Sequence, residues 1–361
     1  MPGDRIMGRF RRLVPPGLIR HLPEARRRKY FRAHLDGRRF GHLPTIVGRQ
    51  DPFPSGALFS AVDRLMTDGQ DALIPELATL AEGQNAFDRG VFKALCRHAE
   101  GDTQAAITHL NRYGEGDRFG PFRRMCARAW ALFLQMPRLA DAPPPGTAGP
   151  EILQYWDHTE PPSDVSMAIS AWQRFADAHH LLDATTARAF LTETYGTDAG
   201  RIFDLCAHPA IQSDFVRLGW LAHNGGLYVD ADARMAQDFA AHWPRFADRT
   251  VLWFYTHAAK GHFTNGIISA PAGSPLMLAA FEETGRRISD DPDGHVYRLG
   301  GPGMLTDVVL ATAARGELSN AFVMTTDYVR RNVMTQIDAA YKADERSWHN
   351  WQRDRYGDGK P

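Results

Sequence analysis

Along the chain, the spacing of apolar positions changes character once. In residues 56–140 it is helical: Leu73, Leu77 and Leu80 recur three and four apart, as do Val91, Leu95 and Ala99, then Ala105, Ala106 and Leu110. Gly101-Asp102 separates two apolar-faced stretches between Phe92 and Leu110, a pattern faintly like one tetratricopeptide helix pair. A single pair is not an array, because such repeats need neighbours to bury their faces. The run Ala142-Pro143-Pro144-Pro145-Gly146-Thr147-Ala148-Gly149-Pro150 then breaks the pattern, since proline removes backbone donors and glycine adds entropy.

Beyond it, short apolar runs alternate with helical stretches. Ile152–Tyr155, Leu227–Val229, Val251–Tyr255 and Gly266–Ser269 predict buried strands, and Thr185–Tyr195, Ile211–His223 and Ser274–Ile288 predict helices. Such alternation predicts an α/β domain with a mainly parallel sheet over 151–361, a linker at 142–150, and an all-α domain over 1–141. Ligands of such sheets bind beyond the carboxyl ends of strands, which directs attention to the residues after Val229.

Composition narrows the class. The chain has 361 residues, 43% hydrophobic and 23% charged, with 42 basic and 42 acidic residues. That balance gives no bulk attraction for nucleic acid. The basic residues crowd one end, however, with Arg26-Arg27-Arg28-Lys29 the densest run in the first forty residues. The run reads as a solvated helix face or as a surface drawn to anionic membrane. Cys96, Cys126 and Cys206 are scattered without metal-ligand spacing, which suits a reducing cytoplasm. No run approaches 18 apolar residues, and residues 1–16 lack the apolar core of a signal peptide.

The chemistry concentrates in Ala210–Asp232. Ile211, Phe215, Leu218 and Ala222 form one apolar stripe, and Asp214 and Arg217 lie three apart on a neighbouring one. Asn224-Gly225-Gly226 stops the helix, because glycine tolerates a left-handed cap. Leu227-Tyr228-Val229 predicts a strand with Asp230 and Asp232 at its end, where period-two geometry sends both carboxylates to one side. Two hard oxygen ligands at the mouth of a sheet suit Mg²⁺ or Mn²⁺. Alone, Asp-x-Asp is usually a solvated loop and an Asp–Arg pair usually a surface bridge; the joint pattern is more specific.

Ser213-Asp214-Phe215-Val216-Arg217 through Gly225-Gly226-Leu227-Tyr228-Val229-Asp230-Ala231-Asp232 resembles the signature of the DXD sugar-transferase family, and the likeness extends more weakly over roughly 150–350. That family includes fungal mannosyltransferases, bacterial capsular-polysaccharide transferases and, distantly, large clostridial glucosylating toxins. The resemblance implies a GT-A-type domain and transfer from a UDP- or GDP-sugar, aided by Mn²⁺ or Mg²⁺, to a glycan or lipid-linked acceptor. It also implies retained anomeric configuration. Asp230 and Asp232 would anchor metal and diphosphate, while Asp214 and Arg217 would hold donor-sugar or ribose hydroxyls. Tyr228 would support the site, and a core tyrosine is the plainer alternative. Trp156, ending Ile152-Leu153-Gln154-Tyr155, would stack on the base, or else fill the core. Asp157-His158 departs from the small residues usual there.

Asn265 of Thr264-Asn265-Gly266 matches a position facing the sugar. Gly300-Gly301-Pro302-Gly303 resembles a loop opening a helix, where a plain turn competes with an anion cradle. Ser347, Trp348 and His349 match a closing segment, with His349 a candidate third metal ligand. The implied setting is surface-polysaccharide synthesis in the cytoplasm, peripheral at the inner membrane face. Two other readings stand beside it. A haloacid-dehalogenase-type phosphatase also carries Asp-x-Asp after a strand, with Asp290-Asp291 as its paired acids, and a non-catalytic transferase-like scaffold would keep the fold alone.

Overall fold

The computed structural model describes residues 55–142, 149–256, 258–343 and 347–356. The basic first forty residues and most of the Pro/Gly run therefore lie outside the described residues. Two compact units form: Met1–Arg123 with Thr256–Lys260, and Arg124–Tyr255 with Gly261–Pro361.

The first unit is helical in its described part. Helices α1 (Ser55–Thr67), α2 (Ala86–Ala99) and α3 (Thr103–Glu115) carry it, and α4 (Pro121–Phe133) begins in it. Asn85 accepts from the amides of Phe87 and Asp88 to start α2, and Asp102 accepts from Ala105 to start α3. The α2–α3 pair packs closely at Gly90, where a Cβ would sit 2.4 Å from the Tyr113 ring. The Leu73–Leu80 repeat is not one α-helix. Asp71–Leu77 winds as a 3-10 turn before a short α turn at Ala78–Ala81, and Pro75 inside it has no N–H to give an α-helical ladder.

The second unit starts at Arg124, ahead of the Pro/Gly stretch that marks the change of pattern in the sequence. The reason is aromatic packing: Trp130 and Phe133 of α4 lie 4.8 and 4.5 Å from Phe254. Its core is a six-stranded sheet in the order β2-β1-β3-β6-β5-β7, formed by β1 (Glu151–Tyr155), β2 (Ala178–Leu182), β3 (Gly226–Val229), β5 (Thr250–Tyr255), β6 (His262–Ala270) and β7 (Ala321–Thr325). A separate two-stranded ribbon pairs β4 (Ala233–Met235) with β8 (Met334–Gln336). Only β6 runs against the rest of the main sheet. The sheet is thus mainly parallel, as the alternation predicts.

Its helices are α5 (Ser163–Phe175), α6 (Ala184–Tyr195), α7 (Thr197–Asp204), α8 (Pro209–His223), α9 (Pro275–Asp290), α10 (Pro302–Ala314), α11 (Thr326–Asn332) and α12 (Trp348–Tyr356). No helix of the described residues is long and apolar enough to cross a membrane. Strands β2 and β7 are absent from the sequence reading. Residues Ala178-His179-His180-Leu181-Leu182 form an edge strand whose partly exposed pattern lacks a buried apolar run.

Candidate active site

Helix α8 is buried nearly all round, so both of its stripes face protein. Phe215 stacks on Phe281 of α9 at 4.6 Å, while Ser213, Asp214 and Arg217 turn toward the sheet. Gly225 and Gly226 then carry φ of 73° and 92°. A Cβ on Gly226 would lie 2.6 Å from the Glu151 carbonyl, so the chain can enter β3 alongside β1 only with glycine there.

The strand does not continue through the acidic pair. The Ala233 amide donates to the Asp230 carbonyl at 3.0 Å, closing Asp230-Ala231-Asp232 into a tight turn between β3 and β4. Turn closure, rather than the pleat, sets the two carboxylates side by side. Two neighbours brace this turn. The Asp230 amide donates to Gly266 O of β6 at 3.0 Å. From β1, the buried Gln154 Nε2 reaches the Asp230 carbonyl at 3.4 Å, and Gln154 Oε1 pairs with His179 Nε2 at 2.9 Å.

Arg217 organises the interior of the site. Its Nε donates to Ser213 O, its Nη1 to Asn265 O and to Asp230 Oδ1 at 3.3 Å, and its Nη2 to Ser213 Oγ at 2.9 Å while pairing with Asp214 Oδ1 at 3.0 Å. These acceptors match the five N–H donors of a guanidinium. Arg217 thus has no donor left for a sugar hydroxyl, and its geometry makes it the part that fixes Asp230. The same guanidinium lies 4.1 Å over the Tyr228 ring. Tyr228 is fully buried, and its hydroxyl donates to Asp230 Oδ1 at 2.9 Å beside Ser213 Oγ. Its polar atom is spent inside the protein, so it supports the site from below.

Asn265 sits between Asp214 and the glycine loop. Its Nδ2 donates to Asp214 Oδ1 at 2.8 Å and to Gly300 O at 3.1 Å. Gly300 is pressed against Asp214, since a Cβ there would lie 2.7 Å from the Asp214 Cβ. The glycine run therefore serves close packing ahead of α10.

Burial and charge set the ionisation. Burial pushes Asp214 up to about 7 against the pull of Arg217, and pushes Asp230 up to about 6, with the negative charge of Asp232 adding to it. One guanidinium between two carboxylates leaves a negative excess at the turn.

Asp232 is held from the other side by residues the sequence reading did not single out. Lys342 Nζ lies 2.5 Å from Asp232 Oδ2, and the Tyr341 hydroxyl donates to the same oxygen at 2.9 Å. Nothing in the local sequence marks them, because Tyr341 lies 109 residues from Asp232. Trp156 packs edge-on against Tyr341 at 5.2 Å, in a small apolar cluster with Ala231 and Ala339. The aromatic pair thus borders the acidic turn, and Trp156 stays only partly buried.

Ser347 is buried, and Trp348 and His349 stack on each other at 3.6 Å at the start of α12. Among the described residues no three His, Cys, Asp or Glu gather to hold a metal ion. His349 is accordingly not assembled with Asp230 and Asp232, and Lys342 occupies the position beside Asp232. Asp290, one of the paired acids of the phosphatase reading, is engaged by Arg286 on α9.

The donor set still fits a divalent ion. Asp230 Oδ1 is pinned by Arg217 and Tyr228, while Asp230 Oδ2 and Asp232 Oδ1 have no hydrogen-bond partner among the described residues. Two such hard oxygens are what Mg²⁺ or Mn²⁺ takes when phosphate oxygens and water complete its shell. Gly266 keeps one of them open, since a Cβ there would stand 2.8 Å from Asp230 Oδ2.

Comparison with known proteins falls on this same segment. Residues 156–249 match the family described as glycosyltransferase sugar-binding region containing DXD motif. The match ends before Asn265, the glycine loop and the C-terminal segment. No curated protein matches the sequence. A solved structure titled "PaToxG Glycosyltransferase" is similar at 14% identity and a TM-score of 0.31, over 69% of this chain and 94% of that one. Asp230-Ala231-Asp232 and its supporting Asp214, Arg217 and Tyr228 all lie inside the matched segment, so it is through that region that the chain is similar to the DXD-motif glycosyltransferases.

Proposed function

We propose that this chain is a metal-dependent, retaining glycosyltransferase, moving a sugar from a UDP- or GDP-sugar to a glycan or lipid-linked acceptor in surface-polysaccharide synthesis. One observation carries the metal part. The turn after β3 presents two neighbouring carboxylates, one clamped by Arg217 and Tyr228, each with an oxygen unpaired among the described residues. A bound divalent ion would supply Lewis-acid stabilisation of the departing diphosphate. Asp230 and Asp232 would hold it, and Arg217 and Tyr228 would keep Asp230 from turning away.

Trp156, at the border of the turn, is the surface on which the donor's base stacks. Asp214 Oδ2 and Asn265 Oδ1, which have no partner among the described residues, are the acceptors left for sugar hydroxyls. Fixed positioning and electrostatics would then provide the rate. An acceptor at a membrane gives the basic first forty residues a role in peripheral attachment at the inner face.

Thermal unfolding with UDP or GDP, each with and without Mn²⁺, tests the reading on the wild type and on Asp232→Asn. A ligand at about 100 times its Kd adds roughly 2.7 kcal/mol. At about 2–4 °C per kcal/mol, the melting point rises by about 5–11 °C. The expected result is a rise with one nucleotide that needs the metal and is lost in the variant. A wild type indifferent to both nucleotides with Mn²⁺ would refute it.

A further inference from the structure

Lys342 is the cation at Asp232, on a segment beyond the matched family region. Its backbone is fixed: its amide donates to Ala339 O at 3.1 Å, and Asn350 Nδ2 donates to its carbonyl at 3.2 Å. The side chain is held less firmly. Besides Asp232, its ammonium hydrogen-bonds among the described residues to Ile337 O alone, at 2.8 Å, lies 6.0 Å from the Tyr341 ring centroid, and stays 30% exposed. A lysine carries a point charge on a flexible four-carbon stem. This one can turn without moving the fold.

We propose that Lys342 is a diphosphate-binding residue that also competes with the divalent ion for Asp232. The proposal rests on the transferase reading above. An ammonium 2.5 Å from Asp232 Oδ2 and a divalent ion on the same carboxylate are like charges within a few ångströms, so the two repel. The hold of Asp232 on Lys342 would therefore weaken with a divalent ion bound. The diphosphate that comes with the ion brings several anionic oxygens to the same place. The ammonium, with three donors, exchanges one carboxylate oxygen for them. Tyr341 keeps its hydrogen bond to Asp232 throughout and preserves the carboxylate's direction.

The charge balance supports this exchange. Asp214, Asp230 and Asp232 face Arg217 and Lys342, and the donors of Arg217 are all taken by Asp214, Asp230, Ser213 and Asn265. Lys342 is thus the one site cation, among the described residues, with freedom to follow the diphosphate.

The test uses the full chain as wild type, Lys342→Met and Lys342→Arg. Mn²⁺ alone is titrated by the electron paramagnetic resonance of the free ion, and UDP and GDP are titrated calorimetrically at saturating Mn²⁺. Charged hydrogen bonds of this kind correspond to about ten-fold or more in affinity. Lys342→Met is expected to bind Mn²⁺ alone about ten-fold more tightly and the diphosphate about ten-fold more weakly, while Lys342→Arg keeps diphosphate binding near wild type. Opposite shifts in the two titrations cannot come from a merely structural role, which would weaken both. Equal weakening of both, or no change in either, would overturn the proposal. A wild type that binds neither nucleotide with Mn²⁺ would sink the metal-dependent transferase reading itself.

Discussion

Replacing Arg217 by Met keeps most of the stem volume and removes the charge that two carboxylates share. Asp214 and Asp230, with side chains 6% and 25% exposed, would then face each other across the sheet end without a cation. Removing one member of a buried ion pair costs about 3–5 kcal/mol, because the partner is left charged and desolvated. At about 2–4 °C per kcal/mol for a domain of this order, the melting point falls by about 6–20 °C. The loss depends on pH in a defined sense. Burial already raises both carboxylates, and Arg217 pulls both down, so without it they rise further. At pH 5 they escape most of the penalty by taking up protons cheaply, and at pH 8 the same protonation costs more, because the unfolded carboxylates are then fully ionised. The assay is thermal unfolding of wild type, Arg217→Met and the double variant with Asp214→Asn at both pH values. The expected pattern is a larger loss at pH 8, partly recovered when Asp214 becomes neutral. A loss under about 1 kcal/mol, the level of an exposed pair, with no pH dependence would refute the clamp.

Two further outcomes follow from the same geometry. In the wild type, Asp214 and Asp230 have native values of about 7 and about 6, above the unfolded value of about 3.9. The native state therefore keeps protons that the unfolded chain has released, and the stability these groups contribute is lost as pH rises from about 4 to about 7. Urea midpoints between pH 4.5 and 8 should show this decline, with the Asp214 part missing in Asp214→Asn; a rise across the window would count against the burial of these groups. The second outcome concerns Gly266→Ala. Its methyl would stand 2.8 Å from Asp230 Oδ2, while Arg217 and Tyr228 hold the other oxygen. Metal-dependent nucleotide binding should fall at least about ten-fold, with a smaller effect on folding, and calorimetric titration of the variant checks it.

Much of this protein was legible in residue order because the relevant forces are local. Strand β3, helix α8 and the glycine stop between them lie within one short stretch, where apolar spacing and positive-φ glycines leave a direct mark. The same stretch holds Asp214, Arg217, Tyr228, Asp230 and Asp232, so the acidic turn and its clamp could be found as a pattern. What each of these side chains does was not legible. The motif suggests that Arg217 touches a sugar, whereas in space its five donors all meet acceptors within the protein. Asp230 and Asp232 could be expected to continue a pleat until the Ala233 amide closed the turn.

Of the residues contributed by distant elements, Asn265 and Trp156 were marked by the family resemblance, whereas Gln154, His179, Tyr341 and Lys342 left no mark in the sequence. Gln154 and His179 reach the turn through the pairing of β1 with its neighbours, and the edge strand β2 has too polar a face to stand out. Asn265 and Gly266 arrive on β6, which runs against the other strands. Tyr341 and Lys342 meet Asp232 across 109 and 110 positions of chain. The sequence by itself determined the helical and α/β segments and the acidic motif, since propensity and periodicity act over a few residues. Only the tertiary structure decided which charge answers which carboxylate, because that pairing depends on distance in space, and distance along the chain does not report it.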